Sequence, residues 1–151
     1  MHLQDAQPAT TNVLWLQHFI DVYQRLGTDN LHLLREIYHP QVKFADPMHE
    51  LSGFSELQRY FEGLYTNLSS CDFKVTHTIV EGNQAAIYWL MTYTHNKLNG
   101  GKPVSVEGHS HLRERDGKVA YHRDYVDLGA MIYEQIPMVG KLIHLIKRRA
   151  G

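Results

Sequence analysis

The segment His122-Arg123-Asp124-Tyr125-Val126-Asp127 crowds an imidazole, a guanidinium and two carboxylates into what otherwise reads as a β-strand. Strand side chains alternate between faces, so His122 and Asp124 share one side while Arg123, Tyr125 and Asp127 share the other. Strand geometry sets the Cβ atoms of His122 and Asp124 about 7 Å apart, a gap their side chains bridge directly or through water. If that face is interior, a carboxylate-oriented imidazole is an acid–base apparatus suited to cyclisation, isomerisation or dehydration. The competing reading is a buried polar network, satisfied and without chemistry. Asp46, in Phe44-Ala45-Asp46-Pro47, is a second candidate. A carboxylate at the mouth of an apolar pocket is desolvated and accepts protons near neutrality, whereas an Asp that opens an Asp-Pro turn caps local backbone. Both readings of Asp46 stand at this point.

Eleven histidines invite a search for metal ligands, but His109-x-His111 is the only close pair. No third ligand follows at a telling interval, and there is neither a Cys cluster nor a His-Glu-x-x-His helix. Neither metal nor cofactor is expected. Fifteen basic residues against sixteen acidic ones create no overall field for nucleic acid. Cys71 is the one cysteine, which excludes an intramolecular disulfide and points to a reducing compartment. The stretch from Met1 to Thr11 lacks the apolar core of a signal peptide, and no apolar run approaches the roughly 18 to 20 residues of a membrane span. A soluble, cytoplasmic protein is the expectation.

The elements that must position these residues follow from periodicity. Trp15, Phe19, Val22, Tyr23 and Leu26 fall at helical spacing, with N-cap chemistry at Thr10, Thr11 and Asn12 and a stop at Gly27. A shorter helix carries Leu31, Leu34, Ile37 and Tyr38 and is closed by Pro40. Val42 to Pro47 alternates as a short strand. A third helix opens at Ser52 or Gly53, its stripe being Phe54, Leu57, Phe61, Leu64, Tyr65 and Leu68. Strands follow at Phe73–Val80, Ala85–His95, Val104–Arg115 and Val119–Asp127, separated by glycine-containing turns. Helices followed by a strand meander, with no alternating βαβ pattern, predict an α+β fold: a curved antiparallel sheet with helices packed on one face.

The turn before the last strand sets the inward face. A two-residue Asp116-Gly117 turn pairs Ser110 with Arg123. A three-residue loop, Arg115 to Gly117, pairs Glu114 with Lys118 and Ser110 with His122. The second register is preferred, because one face then carries the smaller, more apolar set Val106, Gly108, Ser110, Leu112, Ala120, His122, Asp124 and Val126. The other face carries Glu107, His109, His111, Arg113, Tyr121, Arg123, Tyr125 and Asp127, which suits a subunit contact. A homodimer through that face is expected.

Asp46-Pro47, Gly53 with its helix, Glu107 to Leu112, Asp116 to Val119 and His122 to Asp127 together cover residues 12–127. In these the chain resembles the nuclear-transport-factor-2-like superfamily, in particular its SnoaL-like and ketosteroid-isomerase-like branch. The resemblance implies a cone, its bent sheet wrapping the N-terminal helices around an apolar pocket for a hydrophobic small molecule. In the isomerase branch the Asp of the Asp-Pro motif is the general base, matched by Asp46. The branch's protonated Asp position falls on Ser110 and its tyrosine near Val22, with Tyr23 adjacent. Serine donates less strongly than a buried carboxylic acid, so classical steroid isomerisation is disfavoured. The epoxide-hydrolase branch also ends in an Arg-Asp-Tyr strand, with Asp124 as its acidic residue. Its Arg-x-Asp partner has no counterpart in Ala85–His95, which disfavours that activity too. The expected apparatus is therefore Asp46, His122 and Asp124, with Ser110 or Tyr23 polarising an oxygen and Trp15, Phe61 and Trp89 lining the pocket. The alternative is a non-catalytic binding or dimerisation module of the same fold, because this fold hosts many functions.

Residues 129–151 read as an extension beyond a 12–128 domain and a flexible 1–11 segment. Pro137 can start a helix in which Met138, Val139, Leu142, Ile143, Leu145 and Ile146 oppose Lys141, His144 and Lys147. Docking on its own domain or on a partner is the commoner use of such a helix, a membrane-surface anchor the rarer one.

Overall fold

A computed structural model describes residues 11–136 and 138–151, without the side chains of Thr11 and Asn12. The cap at Thr10 to Asn12, most of the expected flexible 1–11 segment and the helix start at Pro137 therefore lie outside the described residues. Helix α1 (Thr11–Arg25) buries Trp15, Leu16, Phe19, Val22 and Tyr23 along one stripe, as its 3.6-residue spacing requires. The Asn30 side chain closes the next turn, accepting from Gly27 N–H and donating to the Arg25 carbonyl, both at 2.6 Å.

After a 3₁₀ turn (Leu31–Leu33), α2 (Leu34–Ile37) ends one residue before the spacing suggests. Tyr38 is not on the helix; it opens strand β1 (Tyr38–Ala45). Pro40 confines His39 to extended backbone, and Tyr38 follows its neighbour out of the helix. A short β2 (Glu50–Ser52) precedes α3 (Phe54–Thr66), which is entered through Gly53 at φ 87°. The buried residues of α3 are Leu57, Phe61 and Tyr65; Leu64 points outward and Leu68 already belongs to β3 (Leu68–Glu81). Strands β4 (Gln84–His95), β5 (Val104–Arg115) and β6 (Lys118–Val126) complete the meander.

The fold is α+β, with a six-stranded sheet in the order β2-β1-β6-β5-β4-β3 and with α1 and α3 packed on it. One pairing departs from the expected antiparallel arrangement: β1 runs parallel to β6, so the sheet is mixed. The α3 crossover allows this, since it carries the chain from β2 at one edge to β3 at the other.

The preferred hairpin register is not the one formed. Asp116 (φ 56°) and Gly117 (φ 81°) make a two-residue turn, pairing Arg115 with Lys118. A β-bulge then lets β6 advance by one extra residue, Ala120, between Val119 and Tyr121. Beyond it Ser110 pairs with Asp124, and Leu112 with His122. A two-residue turn plus one bulged residue has the same parity as a three-residue loop, so His122 and Asp124 still face inward. Val119, not Ala120, takes the inward place before the bulge.

Beyond β6, helix α4 (Leu128–Met131) is capped by Asp127 accepting from Ala130 N–H at 3.1 Å. A final helix, α5 (Val139–Ala150), follows.

Candidate functional site

Ser110 on β5 and Asp124 on β6 are directly opposed, and His122 lies one step along the same face. Opposed strand residues approach to about 5 Å at Cβ, so a serine hydroxyl reaches its neighbour's carboxylate. Ser110 donates to Asp124 Oδ1 at 2.5 Å, and His122 Nε2 meets the same oxygen at 2.5 Å. Trp89, across the ladder on β4, donates its indole N–H to Ser110 Oγ at 2.9 Å. On the other side of the imidazole, the Tyr38 hydroxyl lies 2.7 Å from Nδ1. The five side chains form one hydrogen-bonded chain, Tyr38–His122–Asp124–Ser110–Trp89. With Asp124 as the carboxylate, the network assigns the proton to Nε2 and makes Tyr38 the donor to Nδ1.

His122 and Ser110 are 0% exposed, whereas the Asp124 side chain retains 17% exposure. Asp124 Oδ1 is held by two donors, and Oδ2 has no partner among the described residues. Among those residues the network therefore leaves one acceptor atom without a partner, and that atom belongs to Asp124. The imidazole is walled by Phe19, Tyr23, Tyr38 and Phe44, with ring centroids 4.8 to 6.0 Å away. Burial pushes the Tyr38 and Tyr23 hydroxyls well above the ordinary tyrosine range. Proximity to the Asp124 charge adds to both, and a hydrogen bond with Tyr23 partly offsets the effect at Tyr38. Both remain protonated donors.

Asp46 is otherwise engaged. Its Oδ1 accepts from the backbone N–H groups of Met48 (2.8 Å) and His49 (2.7 Å), the local turn-capping arrangement, and Oδ2 accepts from the Tyr60 hydroxyl. Burial first, then Asp46 and the Asp124 charge, raise the Tyr60 hydroxyl's pKa. Tyr60 thus bonds one carboxylate and feels the charge of the other. Tyr23 and Phe61 line the same interior, their rings 6.4 Å apart. Trp89 is buried over Gly108, where a Cβ would collide with its six-membered ring. Trp15 sits apart from this group. It lines a hollow of about 520 Å³ with His18, Asn83 and Glu114, at the end of the sheet where the β3–β4 and β5–β6 turns lie, whereas Asp124 is toward the opposite end of β6.

Two members of the site were not legible as such. Tyr38 read as the end of a helix stripe, and Tyr60 lies beside the apolar stripe of α3 rather than on it. The X-Pro restriction at His39 is the local signal that would have moved Tyr38 onto the strand. Two further groups, buried Tyr65 and half-buried Cys71, pack into this interior. Tyr65 has a hydroxyl without a hydrogen-bond partner among the described residues, and the Cys71 thiol is pushed up to about 11 by burial, which keeps it from acting as a thiolate. Among the described residues no group of three or more His, Cys, Asp and Glu side chains is placed to hold a metal ion.

On the outer face, Tyr88, His109 and Tyr125 stack across three strands, with centroids 5.2 and 4.9 Å apart. Arg123 lies over Tyr125 and Arg113 over Tyr121.

Comparison with known proteins agrees with this architecture. The model of the SnoaL-like domain family matches residues 17–122. Among solved structures, a candidate SnoaL-like polyketide cyclase from Jannaschia is 21% identical, with a TM-score of 0.70 over 85% of this chain and 94% of that one. An NTF2-like protein of unknown function from Burkholderia pseudomallei is 14% identical, with a TM-score of 0.72 over 85% and 98%. A hypothetical protein from Catenulispora acidiphila with a ketosteroid isomerase-like fold, solved with trimethylamine, is 13% identical, with a TM-score of 0.70 over 82% and 94%. No curated protein sequence matches significantly. At these identities the structural likeness establishes the fold alone.

Proposed function

This chain belongs to the SnoaL-like domain family, and on that premise we propose that it binds a hydrophobic, carbonyl-bearing small molecule and moves protons on it without a cofactor. Isomerisation, cyclisation and dehydration are the reactions such an apparatus serves. The observation that carries the reading is the asymmetry of Asp124, with Oδ1 held by His122 and Ser110 and Oδ2 without a partner among the described residues. A carboxylate fixed in this way offers one oxygen, at a set angle, to a substrate proton. Oδ2 takes a proton from the carbon beside the carbonyl. The electron pair moves onto the carbonyl oxygen, where Tyr60, turning its hydroxyl from Asp46, or Tyr23, turning from Tyr38, donates. The carboxylic acid then returns the proton to another atom of the same molecule.

In this scheme Asp124 is the catalytic residue. His122, enclosed and occupied at both nitrogens, is a positioning residue that acts through Asp124, and Asp46 positions Tyr60. Asp124→Asn keeps the shape and removes the base. In D₂O, wild-type protein should speed deuterium uptake beside the carbonyl of at least one of a panel of hydrophobic ketones, and the variant should lose about 10²–10⁴-fold of that rate. Equal rates in the two proteins count against proton chemistry at this residue.

The second reading, a binding module without chemistry, is favoured by the burial of Ser110 and Trp89 within the network and by the packing of buried Tyr23 and Phe61 in the same interior. Ligand-dependent tryptophan fluorescence without any deuterium exchange is its signature. The stacked outer face supports a homodimer in either case, and a monomer by light scattering at high micromolar concentration contradicts it.

A further inference from the structure

Helix α5 is held by the edge of its apolar stripe and not by the stripe itself. Gly140, Ile143 and Lys147, spaced by three and four, share one side of the helix. Gly140 rests on the Glu134 carbonyl, so closely that a Cβ there would collide with it, and Ile143 and Lys147 lie against Gly129. Lys147 bonds Asp127 at 2.7 Å and Glu134 at 3.4 Å, and His144 reaches Glu134 at 3.3 Å. These contacts turn the true apolar face outward. Leu142 is 55% and Ile146 53% exposed, with Val139 and Leu145 also open on the same side and Met138 just before them.

Charge decides what would cover this face. Val139–Ala150 contains Lys141, Lys147, Arg148 and Arg149 and no acidic residue. Among the described residues Lys141, Arg148 and Arg149 enter no ion pair; by helical spacing Lys141 and Arg148 lie along one edge of the apolar stripe and Arg149 at its C-terminal end. Two copies packed stripe to stripe would bring these cations together and repel. An anionic lipid surface meets both demands, accepting the apolar side chains below its headgroups and pairing the cations at their level. No helix among the described residues is long and apolar enough to cross a membrane. We propose that α5 is a surface-lying membrane contact, which seats the domain on anionic lipid through Leu142, Leu145 and Ile146 with Lys141, Arg148 and Arg149 around them.

The test is co-sedimentation of the full chain with vesicles of phosphatidylcholine alone or mixed equally with phosphatidylglycerol. Each basic residue near such a surface contributes about fivefold in partitioning, so binding to the mixed vesicles should be at least about tenfold tighter and should weaken at high salt. Leu142→Glu with Ile146→Glu should abolish sedimentation while circular dichroism stays unchanged, because both positions are exposed. Arg148→Gln with Arg149→Gln should remove the preference for anionic lipid. Wild-type protein that ignores vesicles, or that binds both compositions equally, overturns the proposal, as does a double-Glu variant that sediments like wild type. A dimer that the double-Glu substitutions convert to monomer, with no vesicle binding by wild type, assigns the face instead to a second copy.

Discussion

Tyr38→Phe removes one oxygen from the interior and leaves the ring that packs on Phe19 and His122. The oxygen is the one partner of His122 Nδ1 among the described residues, and the imidazole has no contact with solvent. A buried nitrogen stripped of its partner costs about 1–3 kcal/mol, and the gap left by one hydroxyl is too small for a water to replace it. In a domain of this size that lowers Tm by roughly 2–12 °C. The more searching measurement is a double-mutant cycle with Asp124→Asn, since Tyr38 and Asp124 grip opposite nitrogens of one ring. If the chain from Tyr38 to Trp89 acts as a unit, the two losses in urea-unfolding free energy should fail to add by about 0.5–3 kcal/mol. Imidazole nitrogen NMR on the same proteins should show the Nε2–H tautomer in wild type. Tyr38→Phe protein as stable as wild type, with additive behaviour in the cycle, would refute the network as a structural unit and weaken the case that Tyr38 helps to aim Asp124.

Gly108→Ala drives a Cβ into the Trp89 ring and should destabilise by about 1–3 kcal/mol, with a change in tryptophan emission as the indole leaves Ser110. Gly63→Ala, in the middle of α3 with open space around it, should instead stabilise by about 0.5–1 kcal/mol. The Asp127–Lys147 contact makes α5 docking pH-dependent. The Lys147 hydrogen bond, then that from Ala130, hold the Asp127 carboxyl below its usual range, and Asp127 in turn raises Lys147. A depressed carboxyl contributes above its unfolded pKa and loses that contribution as pH falls through the folded value; a raised amine loses its share as pH rises through its own. Protection of the α5 amides, once corrected for the steep intrinsic rise of exchange with pH, should therefore be greatest between about pH 4 and 10 and fall on either side, with added salt reducing the difference because the pair is half exposed. Protection that does not fall below about pH 4 or above about pH 10 would count against the contact.

Much of this architecture was legible in local pattern. The 3.6-residue spacing of Trp15, Phe19, Val22 and Tyr23 marks a buried helix face. The smaller, more apolar set Val106, Gly108, Ser110 and Leu112 marks the enclosed side of β5, and the same size rule puts His122 and Asp124 inside, although the register it came with is not the one formed. Parity was readable because it depends only on whether each residue is small or apolar. Partners were not. Whether Ser110 meets His122 or Asp124 depends on a bulge at Ala120, and β6 at that point is also paired with β1, nearly eighty residues earlier in the chain. The turn residues carry no trace of that second pairing.

The same division runs through the tail. Its amphipathic pattern is plain in the residues Val139 to Ala150, but which side of α5 meets the domain was decided by Glu134, Asp127 and the glycine contacts. For the opening hexapeptide, the chain by itself determined a buried imidazole beside a carboxylate, because strand alternation is local geometry. Only the tertiary structure decided that His122 is gripped at both nitrogens and that, among the described residues, Asp124 Oδ2 is left without a partner. Those bonds join β1, β4, β5 and β6, and a hydrogen bond forms between atoms that the whole sheet, with its one bulge, brings within 3 Å.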